Sequence, residues 1–274
     1  KRLRIYMSSI PNHNNLNYWS KKMNILVACE YSGIVRDAFI EKGHDAWSCD
    51  LLPTEGKLQN NHKHLWIDLE YAIGASNWDM IIAFPPCTYL SNVGNAWLNS
   101  PLYPNRQQDR EDAIKFVKMI WNADAKYICI ENPIGCLSTR WKKPTQYIQP
   151  YEYGHDATKK TCLWLKNLPK LIPTSNMTKD DVTFHTYKNG RRECKWMYET
   201  SLLPHSERGK ARSKFWTGVA SAMADQWTEH INSRNVKMPP TSPWKSHRIK
   251  KGEYTLKEFS HKMGIPCIDF SNHK

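Results

Sequence analysis

The chain has 274 residues, 40% of them hydrophobic and 24% charged, the make-up of an ordinary soluble globular protein with a buried core and one or two domains. No run approaches the roughly 18 apolar residues of a membrane-spanning helix, so no such span and no membrane partner are expected. Lys and Arg number 39 against 26 Asp and Glu, and the resulting net charge of +13 fits a phosphate-rich partner, although a merely basic surface would give the same number.

Residues 1–22, "KRLRIYMSSIPNHNNLNYWSKK", are basic and Asn-rich without helical or strand period, and are read as an N-terminal appendage. From Met23 the elements alternate. "NILVAC" is a short apolar run, predicted to be a buried strand. "GIVRDAFIEKG" places Ile34, Ala38 and Phe39 on one helical face and ends at Gly43, a C-terminal cap. "DAWSCD" and "HLWID" are predicted strands ending at Asp50 and Asp68. "WDMIIAF" is a further apolar run that stops at Pro85-Pro86. In "REDAIKFVKMIWNA", Ala113, Phe116, Val117 and Ile120 recur at helical spacing. "AKYICIENP" is another buried strand ending at an acid and a proline, and "TCLWL" is the last. Residues 174–212 are polar, basic and without period. "SKFWTGVASAMADQWTEHI" returns to a helix with Val219, Met223 and Trp227 on one face. A Pro-rich break then opens a basic tail, 236–274. Strands alternating with helices predict an α/β fold with a mostly parallel sheet and right-handed crossovers.

Ligands of such sheets bind beyond the carboxyl ends of the strands. The residues there are Glu30 to Gly33, Asp50, Asp68, Pro86-Cys87 and Glu131-Asn132. Two prolines ahead of Cys87 stiffen the backbone and remove two N–H donors, which would hold a thiol rigidly in a cleft; a small residue after a turn is the plainer reading. Glu131 could bind a ring nitrogen of a heterocycle, or cap a helix. Asp50 and Asp68 could accept from ribose hydroxyls or an exocyclic amine, or keep loops soluble.

Taken together, "ACEYSGIVRDAF", "CDL", "ID", "FPPCTYLS", "ENP" and "SKFWTGVASAMADQW" resemble the DNA cytosine-5 methyltransferase family in order and spacing, over residues 23–227. The resemblance implies a Rossmann-like, S-adenosyl-L-methionine-dependent methyltransferase fold. It implies that Cys87 adds to C6 of a cytosine flipped out of double-stranded DNA, so that C5 takes the methyl group. Glu131 would then contact N3 and the amino group of the ring, and Asn132 would brace the thiol loop. Lys159 and Lys160 would stand in for a family arginine, without its bidentate fork. Cys29, Glu30, Tyr31, Ser32 and Gly33 would approach the methionine part of the cofactor. Asp50, with Leu51 beside it, would hold the ribose, Asp68 the adenine amine, and Pro86 would line the same site. The resemblance also divides the chain. Residues 23–173 would be the catalytic domain, 174–212 a small target-recognition segment, and 213–235 a helix returning to the catalytic domain. The compact form is similar to enzymes of phage or mobile-element type.

The departures are Tyr31 where a glycine is usual, Thr88 after the cysteine, and Pro133 after Glu-Asn. Eight cysteines without a CxxC pair, and no leader-like opening, lead to the expectation of a monomer in the reducing cytoplasm of a bacterium or phage-infected host, with no metal. Three rivals stand. An amino-methyltransferase would want Asp, Asn or Ser before the Pro-Pro step, and Phe84 cannot accept a hydrogen bond. The pyrimidine could instead belong to RNA or a free nucleotide. The protein could also be an inactive DNA-binding module.

Overall fold

In the computed structural model the described residues are 21–235. The N-terminal appendage, but for Lys21 and Lys22, and the tail 236–274 lie outside them.

Seven strands form one sheet: β1 (Asn24–Ala28), β2 (Asp45–Cys49), β3 (His64–Leu65), β4 (Met80–Ala83), β5 (Tyr127–Pro133), β6 (Gln146–Ile148) and β7 (Thr161–Lys166). Their order is β3-β2-β1-β4-β5-β7-β6. The first five in that order run parallel, while β7 runs antiparallel between β5 and β6. This is a mostly parallel, Rossmann-like arrangement.

Because successive side chains of a strand point to opposite faces, each strand feeds two cores. Ile25, Val27, Met80, Ile82 and Cys129 pack toward α1 (Ile34–Glu41) and α7 (Thr217–Asn235), which contribute Phe39, Val219, Met223 and Trp227. Leu26, Ala28, Ile81, Ala83, Ile128 and Ile130 pack toward α2 (Leu69–Gly74) and α3 (Arg106–Trp121). No helix among the described residues is long and apolar enough to cross a membrane.

Three elements differ from the sequence reading. The "HLWID" strand shrinks to two residues, and Asp68 becomes the N-cap of α2, accepting from Glu70 N at 3.0 Å. A short carboxylate satisfies an orphan helix donor better than it continues a strand. On α3 the buried face is Arg110, Ile114, Val117 and Ile120, while Ala113 and Phe116 are only half-buried. Residues 174–212, without period in sequence, hold a two-stranded sheet, β8 (Phe184–Thr186) with β9 (Arg192–Cys194), and helices α5 (Lys195–Ser201) and α6 (His205–Ser213). A short helix, α4 (Leu137–Arg140), follows β5.

Trp227 is fully buried and donates from Nε1 to Pro169 O at 3.1 Å. Trp227→Ala is expected to cost about 3–5 kcal/mol in urea denaturation. An unchanged midpoint would mean that α7 does not close this core.

Candidate active site

The thiol loop leaves β4 at Phe84 and is held from two sides. On the β5 side, the buried Asn132 donates from Nδ2 to Pro85 O at 2.7 Å. On the α3 side, Arg110 Nε donates to Tyr89 O and Arg106 to Thr88 O, both at 2.9 Å. Leu90 N and Ser91 N both donate to Cys87 O, closing a tight turn. A Cβ on Gly135 would sit 1.9 Å from Leu90 O, so only glycine lets the segment after β5 pass this close. Sequence reasoning missed Arg106, Arg110 and Gly135. An arginine looks solvated by type, yet Arg110 extends the buried face of α3 and is buried against the loop.

Cys87 is the exposed thiol among the described residues, the others being buried or half-buried. Desolvation raises its pKa, the nearby Glu131 carboxylate raises it further, and the Lys159 ammonium lowers it. Burial likewise raises Glu131, against the pull of Lys159 and of the Thr161 hydroxyl. The three groups therefore sense one another across the ends of β4, β5 and β7. A protonated Glu131 is a donor and no longer repels a thiolate. Thr161 is a residue that carried no sequence signal.

The two adjacent lysines separate. Lys159 Nζ donates to Arg212 O at 2.9 Å and lies 5.9 Å from the Trp196 ring. Lys160 is exposed, with its ammonium 4.6 Å over the Tyr147 ring.

Beside the thiol loop, a cleft of about 180 Å³ is lined by Cys29, Asp50, Leu51, Asp68, Pro86 and Phe116, with Cys49, Ile67 and Leu69 completing it. Ligand pockets usually enclose about 300–1,000 Å³, so this cleft has room for only part of a ligand of that size. Asp50 Oδ1 accepts from Leu52 N at 2.9 Å, and Asp68 Oδ1 from Glu70 N. A carboxylate has about four acceptor positions, so both retain capacity for hydroxyls or an amine. Phe116 and Ile67 supply apolar surface for an aromatic ring. This donor and acceptor set fits S-adenosylmethionine at its ribose and adenine end. Burial and the two aspartates push the Cys29 thiol far up and Cys49 up to about 11, so both remain neutral. Cys29 also adopts a left-handed backbone, φ 57°.

Glu30, Tyr31 and Ser32 do not line this cleft. The Glu30 carboxylate turns inward to the start of α1, accepting from Val35 N at 2.7 Å, Arg36 N at 3.4 Å and Ser32 Oγ at 3.1 Å. Tyr31 is buried and donates its hydroxyl to Lys210 O at 2.8 Å. Gly33 has φ 70°, and a Cβ there would stand 2.7 Å from Gly56 Cα. These residues shape the loop under the cleft.

Residues 174–212 interleave aromatic and basic side chains. His185 stacks on Tyr198 with ring centroids 3.6 Å apart, Arg191 lies over Tyr187 at 4.5 Å, and Arg192 lies over Phe184 at 4.7 Å.

No family model and no curated protein sequence matches the chain. Among solved structures it is similar to the bifunctional kinase-methyltransferase WbdD, at 12% identity and a TM-score of 0.32 over 70% of this chain and 48% of that one. It is also similar to the S. pombe Dnmt2 methyltransferase, at 13% identity and a TM-score of 0.37 over 71% of this chain and 67% of that one. The chain spans about half the length of the WbdD structure it matches. Likeness at this level identifies no family and assigns no residue a role.

Two measurements check the electrostatics. Iodoacetamide labelling of Cys87 is expected to accelerate with a pH midpoint above the ordinary thiol value of about 8.5, and Lys159→Met to move the midpoint higher still. A midpoint below that value, or one indifferent to Lys159, contradicts the site geometry. Burial lifts Glu30 to about 7, above the roughly 4.3 of an unfolded chain, so the folded state holds the proton more tightly. Stability should fall as pH rises from about 4.5 to about 7, and Glu30→Gln should remove that slope. A stability difference between the two proteins that stays constant across the window would show that Glu30 does not titrate there.

Proposed function

We propose that the protein methylates C5 of cytosine in DNA, using S-adenosyl-L-methionine, through a covalent bond between Cys87 and C6 of the base. The observation that carries this reading is the meeting of Cys87, Glu131 and Lys159 at neighbouring strand ends, next to a cleft bearing Asp50 and Asp68.

The chemistry needs each of these groups. The thiolate of Cys87 attacks C6 of the pyrimidine, which pushes electron density to C5. A protonated Glu131 donates to N3 and accepts that density, and its burial favours the protonated form. Lys159 favours the thiolate and faces the growing negative charge. Asn132 fixes the attack direction through Pro85. Asp50, Asp68, Phe116 and Pro86 would hold the cofactor, whose sulfonium supplies the electrophilic methyl group. A water molecule or hydroxide then takes the C5 proton, the C5–C6 double bond re-forms as the Cys87 thiolate leaves, and the N3 proton returns to Glu131.

Attack on C6 approaches the face of the ring, which stacked neighbours cover in a duplex, so the base must leave the stack. The basic and aromatic side chains of residues 174–212 supply the contacts that hold a nucleic acid open at this edge. Methylation of an exocyclic amine is disfavoured because Phe84 is occupied by Phe215, their rings 4.6 Å apart, and offers no acceptor.

Incubation with duplex DNA and S-adenosylmethionine, followed by nucleoside mass spectrometry, is expected to yield 5-methylcytosine. Cys87→Ala should lower turnover by about 10³-fold or more while cofactor binding persists. N4-methylcytosine as product, or full activity without the thiol, overturns the covalent scheme. Product confined to RNA replaces DNA as the substrate.

A further inference from the structure

The last carbonyls of a helix have no partner within it and must be satisfied from outside. In α6 two of them are taken by side chains from opposite parts of the candidate site. Lys210 O accepts from the Tyr31 hydroxyl at 2.8 Å, and Arg212 O accepts from Lys159 Nζ at 2.9 Å. Tyr31 belongs to the loop between β1 and α1, whose neighbour Cys29 lines the acid cleft. Lys159 is the cation that acts on Cys87 and Glu131.

Further ties converge on the same turn. Glu55 pairs with Lys210 and with Lys214, the latter at 2.9 Å, and Glu55 N donates to Tyr31 O at 2.8 Å. Ser213 Oγ lies 3.2 Å from the Tyr31 hydroxyl. From the other side, Arg212 donates to Thr200 Oγ1 at 2.9 Å and to Met197 O at 3.1 Å, fastening α6 to α5 and so to the small β8-β9 sheet. Exposed ion pairs alone hold little. The hydroxyl of the buried Tyr31 is the specific tie.

We infer that the C-terminal turn of α6 is a latch that positions Lys159 and the cofactor loop together, with Tyr31 and Glu55 as its positioning residues. The inference rests on the proposed methyl transfer. A nucleic acid that moves residues 174–212 shifts both Lys210 O and Arg212 O. It thereby resets the loop under the cofactor and the cation beside the thiol in one motion. Binding at the two places is then coupled, and the coupling is reciprocal.

The test uses the full-length protein, with S-adenosylhomocysteine and plasmid DNA as probes at one fixed salt concentration. The wild type is expected to bind S-adenosylhomocysteine with a Kd that changes about fivefold or more when DNA is added, in the range typical of coupled sites. Tyr31→Phe and Glu55→Gln should each bring that ratio toward one. Tyr31→Phe keeps the ring, and Glu55→Gln changes a partly exposed side chain, so both variants are expected to fold; a thermal melt verifies this. A second readout needs neither ligand: in both variants the pH midpoint of Cys87 alkylation should rise toward that of Lys159→Met. A wild-type ratio of one, variants that keep the wild-type ratio, or an unmoved alkylation midpoint overturns the latch. A wild type that binds neither probe removes the methyl-transfer reading, and the latch with it.

Discussion

The Asn132 carboxamide donates to the carbonyl of Pro85 at 2.7 Å across the gap between β5 and the loop after β4. Pro85 and Pro86 have no N–H of their own, and the donor to this carbonyl comes from outside the loop. The bond fixes the point at which the chain turns away from the sheet, two residues before Cys87. It also fixes Glu131, because Asn132 follows it on the same strand. The relative placement of thiol and carboxyl is thus set by backbone register, with β4 and β5 paired in parallel up to Ala83 and Ile130. Arg106 and Arg110 then hold the far side of the loop, so Cys87 is both rigid and reachable.

Around that anchor the charges sort by burial. Cys29 and Cys49 sit near carboxylates and remain neutral, inert walls of a cleft. Cys87 has the one nearby ammonium that acts on both it and Glu131. In residues 174–212, arginines lie over tyrosine and phenylalanine rings. Arginine used in this way reaches phosphates and bases alike.

Much of the sheet was legible in sequence because buried parallel strands appear as unbroken apolar runs. "NILVA", "MIIA" and "YICI" are such runs, and each became a strand. The period of α7 was equally plain at Val219, Met223 and Trp227, all fully buried. What hid was short or was decided by tertiary contact. β6 has three residues, and β8 and β9 have three each, too few to show an alternation. The direction of β7 depends on its connection through β6, which no local pattern records. Within the site, Asp50, Cys87 and Glu131 follow from strand ends, whereas Asp68, read as ending a strand, is the N-cap of α2. Glu30 and Tyr31 could not, because their side chains answer to α1 and α6. Arg110, Thr161 and Phe116 were invisible for the same reason: each is ordinary by type and gains its role only from its neighbours.

The central claim is that one sulfur and one buried carboxyl face the same pyrimidine. A duplex carrying 5-fluorocytosine, incubated with the protein and S-adenosylmethionine, should stall after methyl transfer with the base still attached. Proteolysis and mass spectrometry should find the modified nucleotide on the peptide containing Cys87. An adduct at another cysteine, or 5-methylcytosine formed on ordinary DNA with no trapped Cys87 species on the fluorinated one, would contradict the account.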